Sequence, residues 1–114
     1  MTTDLADRAA SILATIDDFQ ICLENVTPEV LAEDQVRRLV VERLFELICA
    51  AISGIPYDLK VCESQIDWRG MAALNDRLHH RYFEDNAGLL LEKAQEQFPP
   101  LRSFARRLIR ENEQ

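Results

Sequence analysis

Apolar residues recur at steps of three and four along most of this chain, and that spacing is what constrains its fold. The first series runs Leu5, Ala9, Ile12, Leu13, Ile16, Phe19, Leu23; at 3.6 residues per turn it forms one stripe along one side of a helix. No segment shows the alternate-residue pattern of a half-buried strand, and only three glycines and four prolines punctuate 114 residues. The class is therefore all-α. The pattern predicts an antiparallel bundle of four to five helices in a single domain over residues 1–114.

Local signals place the boundaries. Thr3 is a candidate N-cap for the first helix, and Thr27-Pro28 can open a short helical turn after it. A second long helix should begin near Asp34 and stop at Gly54-Ile55-Pro56, with glycine supplying the C-terminal turn. Its apolar residues, from Val36 through Leu39, Val40, Leu44, Leu47 and Ile52, are too many for one stripe. Such a helix is covered on more than one side, being either central or part of a dimer interface. Residues 57–65 carry no readable pattern. Asp67 can cap a third helix bearing Trp68, Met71, Leu74, Leu78 and Tyr82, and Asn86 a fourth ending at Phe98. Pro99-Pro100 should separate that helix from a last, basic one.

The formal charge of -7 is concentrated in residues 1–34, which hold eight acids and only Arg8; the remainder is balanced. This argues against a protein that coats nucleic acid electrostatically, yet leaves room for a local anion site. Cys22, Cys49 and Cys62 are odd in number and scattered, as expected of reduced packing residues in a cytoplasmic protein. Neither a signal peptide nor a membrane span is expected from the sequence.

The cluster "LNDRLHHRYFED", Leu74 to Asp85, holds both histidines of the chain. Three readings fit it. Histidines and arginines at a helix C-terminus answer the negative end of the helix dipole. His80 and Glu84, four apart, share a helix face and could be two ligands of a metal. Alternatively, a histidine that takes a proton from a ribose 2′-hydroxyl, beside a cation that stabilises the charge on phosphorus, would cleave RNA without a metal.

The order "SILATIDDF", "VVERLFELICAA", "IDWRGMAALNDRLHHRYFED" and "FPPLRSFARRL" resembles the HepT-like family, small all-α members of the HEPN superfamily, from about Ala10 to Leu108. Trp68-Arg69 matches the pair that opens the family's motif helix. His80-Arg81-Tyr82-Phe83 matches the end of its R-x-x-x-x-H-x-Y motif in register. The resemblance implies the toxin of a two-gene system: a metal-independent endoribonuclease acting as a homodimer, with its site in a cleft between protomers and no cofactor. It further implies a minimal nucleotidyltransferase antitoxin that silences the toxin by adding AMP to the motif tyrosine. Carried over, His80 is the catalytic histidine and Tyr82 the AMP acceptor, with Arg81 available for a phosphate contact.

The chain departs from that pattern where charge matters. The motif arginine falls at Asn75, the following asparagine is Asp76, and the glutamate of the preceding helix is Ala50. A lost charge-assisted contact to phosphate in a desolvated site costs on the order of a hundredfold in rate. On a helix, Arg77 lies about 60° from His80 whereas Asn75 lies about 140° away. Arg77 is thus the natural replacement cation, or else a solvated surface charge. His79 reads as a packing or interface residue. Arg102, Arg106 and Arg110 read as the wet face of the last helix or as a phosphate track, and the chain pattern shows no exposed aromatics among them. A non-catalytic binding partner of a nucleotidyltransferase is the rival reading.

Overall fold

The computed structural model describes residues 4–80 and 83–112, with side chains from residue 87 onward in the second stretch. Arg81 and Tyr82 lie outside the described residues, as does the expected cap Thr3. The described residues form six helices: α1 (Asp4–Leu23), α2 (Pro28–Glu33), α3 (Gln35–Ser53), α4 (Tyr57–Val61), α5 (Trp68–His79) and α6 (Phe83–Asn112). No strand occurs among them. The four longer helices pack in a ring in which α1 touches α3 and α6, and α5 closes the other side against the same two.

Neighbours in the ring run antiparallel. Arg8 near the start of α1 lies against Gly54 at the end of α3, Cys49 of α3 reaches Met71 near the start of α5, and Asp67 meets Lys93 and Gln97 of α6. The stripe read from the sequence is the core: Ala9, Ile12, Ile16 and Phe19 are buried, and Phe19 meets Phe98 of α6 edge-on at 5.0 Å. Trp68 makes a similar contact with Phe104 at 5.4 Å.

Thr27 and Asp34 cap α2 and α3 by accepting from Val30 N–H and Arg37 N–H, as the sequence indicates. Gly54 follows α3, but for a different reason from the one expected. Its φ is −86°, an ordinary right-handed value, so no left-handed turn requires glycine. The Arg8 guanidinium occupies the place where a Cβ would sit.

The larger correction concerns the C-terminal half. The chain does not break at Pro99-Pro100; α6 continues through both and also begins before Asn86, so the two expected helices are one. Each proline removes an N–H that would serve the carbonyl four residues back. Those carbonyls belong to Gln95 and Glu96, both exposed, where water can satisfy them. Meanwhile Phe98 and Leu101, on either side of the prolines, are both buried in the core. Burial of this continuous stripe outweighs the local cost of the prolines.

Among the described residues no helix is long and apolar enough to cross a membrane. The three cysteines are free. Cys49 is packed against the core, and burial pushes its thiol up to about 12. Cys62, contrary to expectation, is exposed.

Asp67 joins α5 to the bundle. Its carboxylate caps α5 by accepting from Gly70 N–H at 2.9 Å and pairs with Lys93 at 3.1 Å, while its own N–H donates to the buried Gln97 side chain at 2.7 Å. The bond from Gly70, then the one from Lys93, holds its carboxyl below the ordinary 3.8. A carboxyl depressed by folding adds stability above its ordinary pKa and loses it as pH falls through the folded value. Asp67→Ala should therefore cost about 1 kcal/mol at neutral pH. Urea midpoints of the variant and parent should differ at neutral pH and converge in acid below 3.8.

Candidate active site at the end of α5

The clamp at Asp67 fixes the start of α5, and twelve helical residues later the chain delivers the histidines to the opposite end of the bundle. The capping carboxylate rests where a Cβ on residue 70 would stand, so any larger residue there would have to shift it. Met71, Leu74 and Leu78 bury the inner face of α5. The remaining directions around the helix sort the candidate residues.

His80 is the C-cap of α5, its N–H donating to the Arg77 carbonyl at 3.1 Å. Its imidazole is exposed, with Nε2 3.8 Å from Asp76 Oδ1 on the preceding turn. Arg77 is also exposed and has no partner among the described residues. It borders a hollow of about 200 Å³ between α5 and α6, rimmed by Lys93, Glu92 and Glu96. The structure thus groups an imidazole, a carboxylate that can orient it, and an uncommitted guanidinium within one turn.

Asn75 is elsewhere. It is half-buried on the side of α5 that meets α3, between Met71, whose carbonyl meets Cys49, and His79, which meets Glu46. Its Oδ1 is buried and has no hydrogen-bond partner among the described residues. On the helix this amide is turned from His80 by about 140°.

His79 is not a core residue. It is exposed, and its Nε2 lies 3.5 Å from Glu46 Oε2, a carboxylate that also accepts from Arg43 at 2.8 Å. One turn further along α3, burial pushes the Glu42 carboxyl up, with Arg38 and His79 pulling it back. The sequence reading missed Glu46. The available signal was its position four residues before Ala50, which puts it on the same face of α3 as the glutamate that Ala50 replaces.

Of the basic residues in the last helical segment, Arg102 is committed to Asp17 at 2.6 Å and to Gln20, and Arg107 to Glu63. Arg106 and Arg110 are exposed. For the metal reading, the Glu84 side chain lies outside the described residues, and among those described no three His, Cys, Asp or Glu side chains converge.

Comparison with known proteins fits this arrangement to a family. Residues 12–108 match the model of the HepT-like family, described as ribonuclease HepT-like. The chain belongs to that family. It is 31% identical to a Thermococcus cleftensis protein named "Probable ribonuclease HepT", over 87% of each chain. It is 32% identical to a Methanocaldococcus jannaschii "Putative RNase" over 66% of this chain and 62% of that one. A Caldanaerobacter subterraneus protein of the same description is 23% identical over 76% of this chain and 78% of its own. No solved structure matches. Within this HepT-like chain, Asn75, where the motif arginine was expected, is half-buried, and its Oδ1 has no partner among the described residues.

An orphaned polar atom in a protein interior costs about 1–3 kcal/mol. Asn75→Leu, which keeps the branched shape without the polar atoms, should raise stability by about 1 kcal/mol in urea unfolding. An unchanged or lower midpoint would show that the amide has a partner in solution.

Proposed function

We propose that this protein is the ribonuclease toxin of a two-gene toxin–antitoxin pair, cleaving RNA without a metal and with His80 as the proton acceptor. The observation that carries the reading is the exposed His80 imidazole, in register with the family motif, beside Asp76 and Arg77. His80 takes the proton from a 2′-hydroxyl, the 2′-oxygen bonds to phosphorus, and the bond from phosphorus to the 5′-oxygen breaks. The leaving oxygen takes a proton from water, and the imidazolium returns its own to solvent. Arg77 supplies the positive charge that Asn75 lacks, stabilising the crowded phosphorane in the transition state.

A homodimer is supported by α3. Val36, Leu39, Val40 and Leu47 form a stripe on that helix and remain exposed, Val36 at 74%. An isolated domain seldom leaves so many apolar side chains of one helix in water. Pairing two copies through this stripe brings α3, and with it the Glu46–His79 contact beside the motif helix, near the junction. The partner in the gene pair would be a nucleotidyltransferase that silences the toxin through Tyr82. The phenol oxygen attacks the α-phosphorus of ATP and pyrophosphate leaves, placing an adenylate where RNA phosphate must sit. Arg81, its neighbour, is positioned by sequence to contact phosphate.

The rival reading, a partner-binding protein without turnover, is favoured by the burial of Asn75. Cleavage of RNA by purified protein in EDTA separates the two. On the ribonuclease reading, His80→Ala abolishes cleavage and Arg77→Ala lowers it about a hundredfold; full activity in His80→Ala would overturn it. On the rival reading the parent is silent, and Asn75→Arg restores activity if the cation alone is missing. For the dimer, Val36→Asp with Leu39→Asp should give a folded monomer by light scattering, with cleavage lost if the site spans both protomers.

A further inference from the structure

No exposed aromatic lies among the arginines of the last helix, but one, Tyr57, stands at the start of α4 beside the first turn of α5. A groove of about 510 Å³ opens between α4 and the first turn of α5, lined among others by Tyr57, Lys60, Glu63, Asp67, Trp68 and Arg69. Tyr57 is 74% exposed and no described residue contacts its hydroxyl. Trp68 forms the inner wall, its ring packed edge-on against Phe104 and its Nε1 donating to the Lys60 carbonyl at 2.9 Å.

The charges in this groove are already sorted. Glu63 is paired with Arg107 and Asp67 with Lys93, so neither carboxylate is free to repel an anion. Lys60 donates to the Ile52 carbonyl at 3.2 Å and lies 5.9 Å over the Trp68 ring. Arg69 is exposed and without a partner among the described residues. The groove lining itself balances Lys60 and Arg69 against Glu63 and Asp67; because the two carboxylates have cations of their own in Arg107 and Lys93, Arg69 is the uncommitted charge there.

Helix geometry connects this groove to the candidate active site. Eleven residues separate Arg69 from His80, a rotation of about 20° net and a rise of about 16 Å. The two therefore lie on one face of α5. Between them that face presents Ala72 and Ala73, both exposed and small, then Asp76 and Arg77. A polyanion lying along it meets a cation, a smooth stretch, a second cation and the imidazole. The one carboxylate on the path, Asp76, is the one beside His80.

We propose that the exposed face of α5 is the track of a single-stranded RNA, with one base stacked on Tyr57 in the groove and the adjoining phosphate held by Arg69, about 16 Å from the scissile phosphate at His80. An exposed aromatic beside an uncommitted guanidinium is the arrangement that grips unpaired nucleotides without reading sequence. The proposal rests on the ribonuclease reading and adds to it a remote subsite, which would require a substrate longer than the two nucleotides flanking the cleaved bond.

The test uses full-length His80→Ala, which should bind RNA without consuming it, and a 5′-fluorescein oligouridylate followed by anisotropy. Adding Tyr57→Ala should weaken binding about tenfold, and Tyr57→Phe, which keeps the ring, should not. Adding Arg69→Ala should lower the slope of log affinity against log salt by about 0.7, with Arg69→Lys restoring it. Emission of Trp68, the only tryptophan, should be quenched on binding. Unchanged affinity and salt slope in Tyr57→Ala and Arg69→Ala, while the parent cleaves RNA, would overturn the track and leave the ribonuclease reading standing. A parent that neither binds nor cleaves RNA removes both. Loss of nucleotidyltransferase binding in Tyr57→Ala, with RNA affinity intact, would assign the groove to the partner protein and overturn the proposal.

Discussion

The three bonds made by Asp67 set where the chemistry can be. Its carboxylate starts α5, its pairing with Lys93 fixes α5 against α6, and its backbone N–H satisfies the buried Gln97. Because α5 is a rigid rod of twelve residues, fixing one end fixes the other. His80 stands where it does because a capping residue at the far end of the helix is held in place. The same clamp neutralises a carboxylate at the mouth of the groove beside Tyr57, so one aspartate both places the imidazole and leaves the approach to it open to an anion.

Much of this organisation was legible in the sequence because it is local. The periodic stripe of α1, the helix starts at Thr27-Pro28 and near Asp34, the cap Asp67, and the stop at Gly54-Ile55-Pro56 each depend on residues within a turn or two. What could not be read depends on distant partners. Pro99-Pro100 looks like a break until Phe98 and Leu101 are seen anchored in the core on both sides. Gly54 looks like a turn glycine until Arg8 is found against it. The stretch around Tyr57 shows no period because its single helical turn, α4, buries none of its own residues.

The candidate site divides along the same line. His80 and Arg77 are proposed from a motif register and a helical angle, both properties of one helix. The burial of Asn75 and the contact of His79 with Glu46 involve α3, about 30 residues earlier in the chain, and no local pattern announces them. The family match accounts for the fold and the kind of activity. The half-buried Asn75 is a feature of this chain's own packing between α5 and α3.

The acidic first third of the sequence takes on a meaning once the ring of helices is known. Asp4, Asp7, Asp17 and Asp18 ride on α1, which touches α3 and α6 and lies diagonally opposite α5 across the bundle. Acidic side chains are thus gathered on the back of the bundle, whereas the exposed face of α5 carries Arg69 and Arg77 against Asp76. On the proposed RNA track, a strand nearing the acidic back is repelled and one nearing α5 is not, within the roughly 8 Å over which physiological salt lets such charges act. A net negative charge and affinity for a negatively charged strand are then compatible, because the repulsion sets the orientation of the encounter.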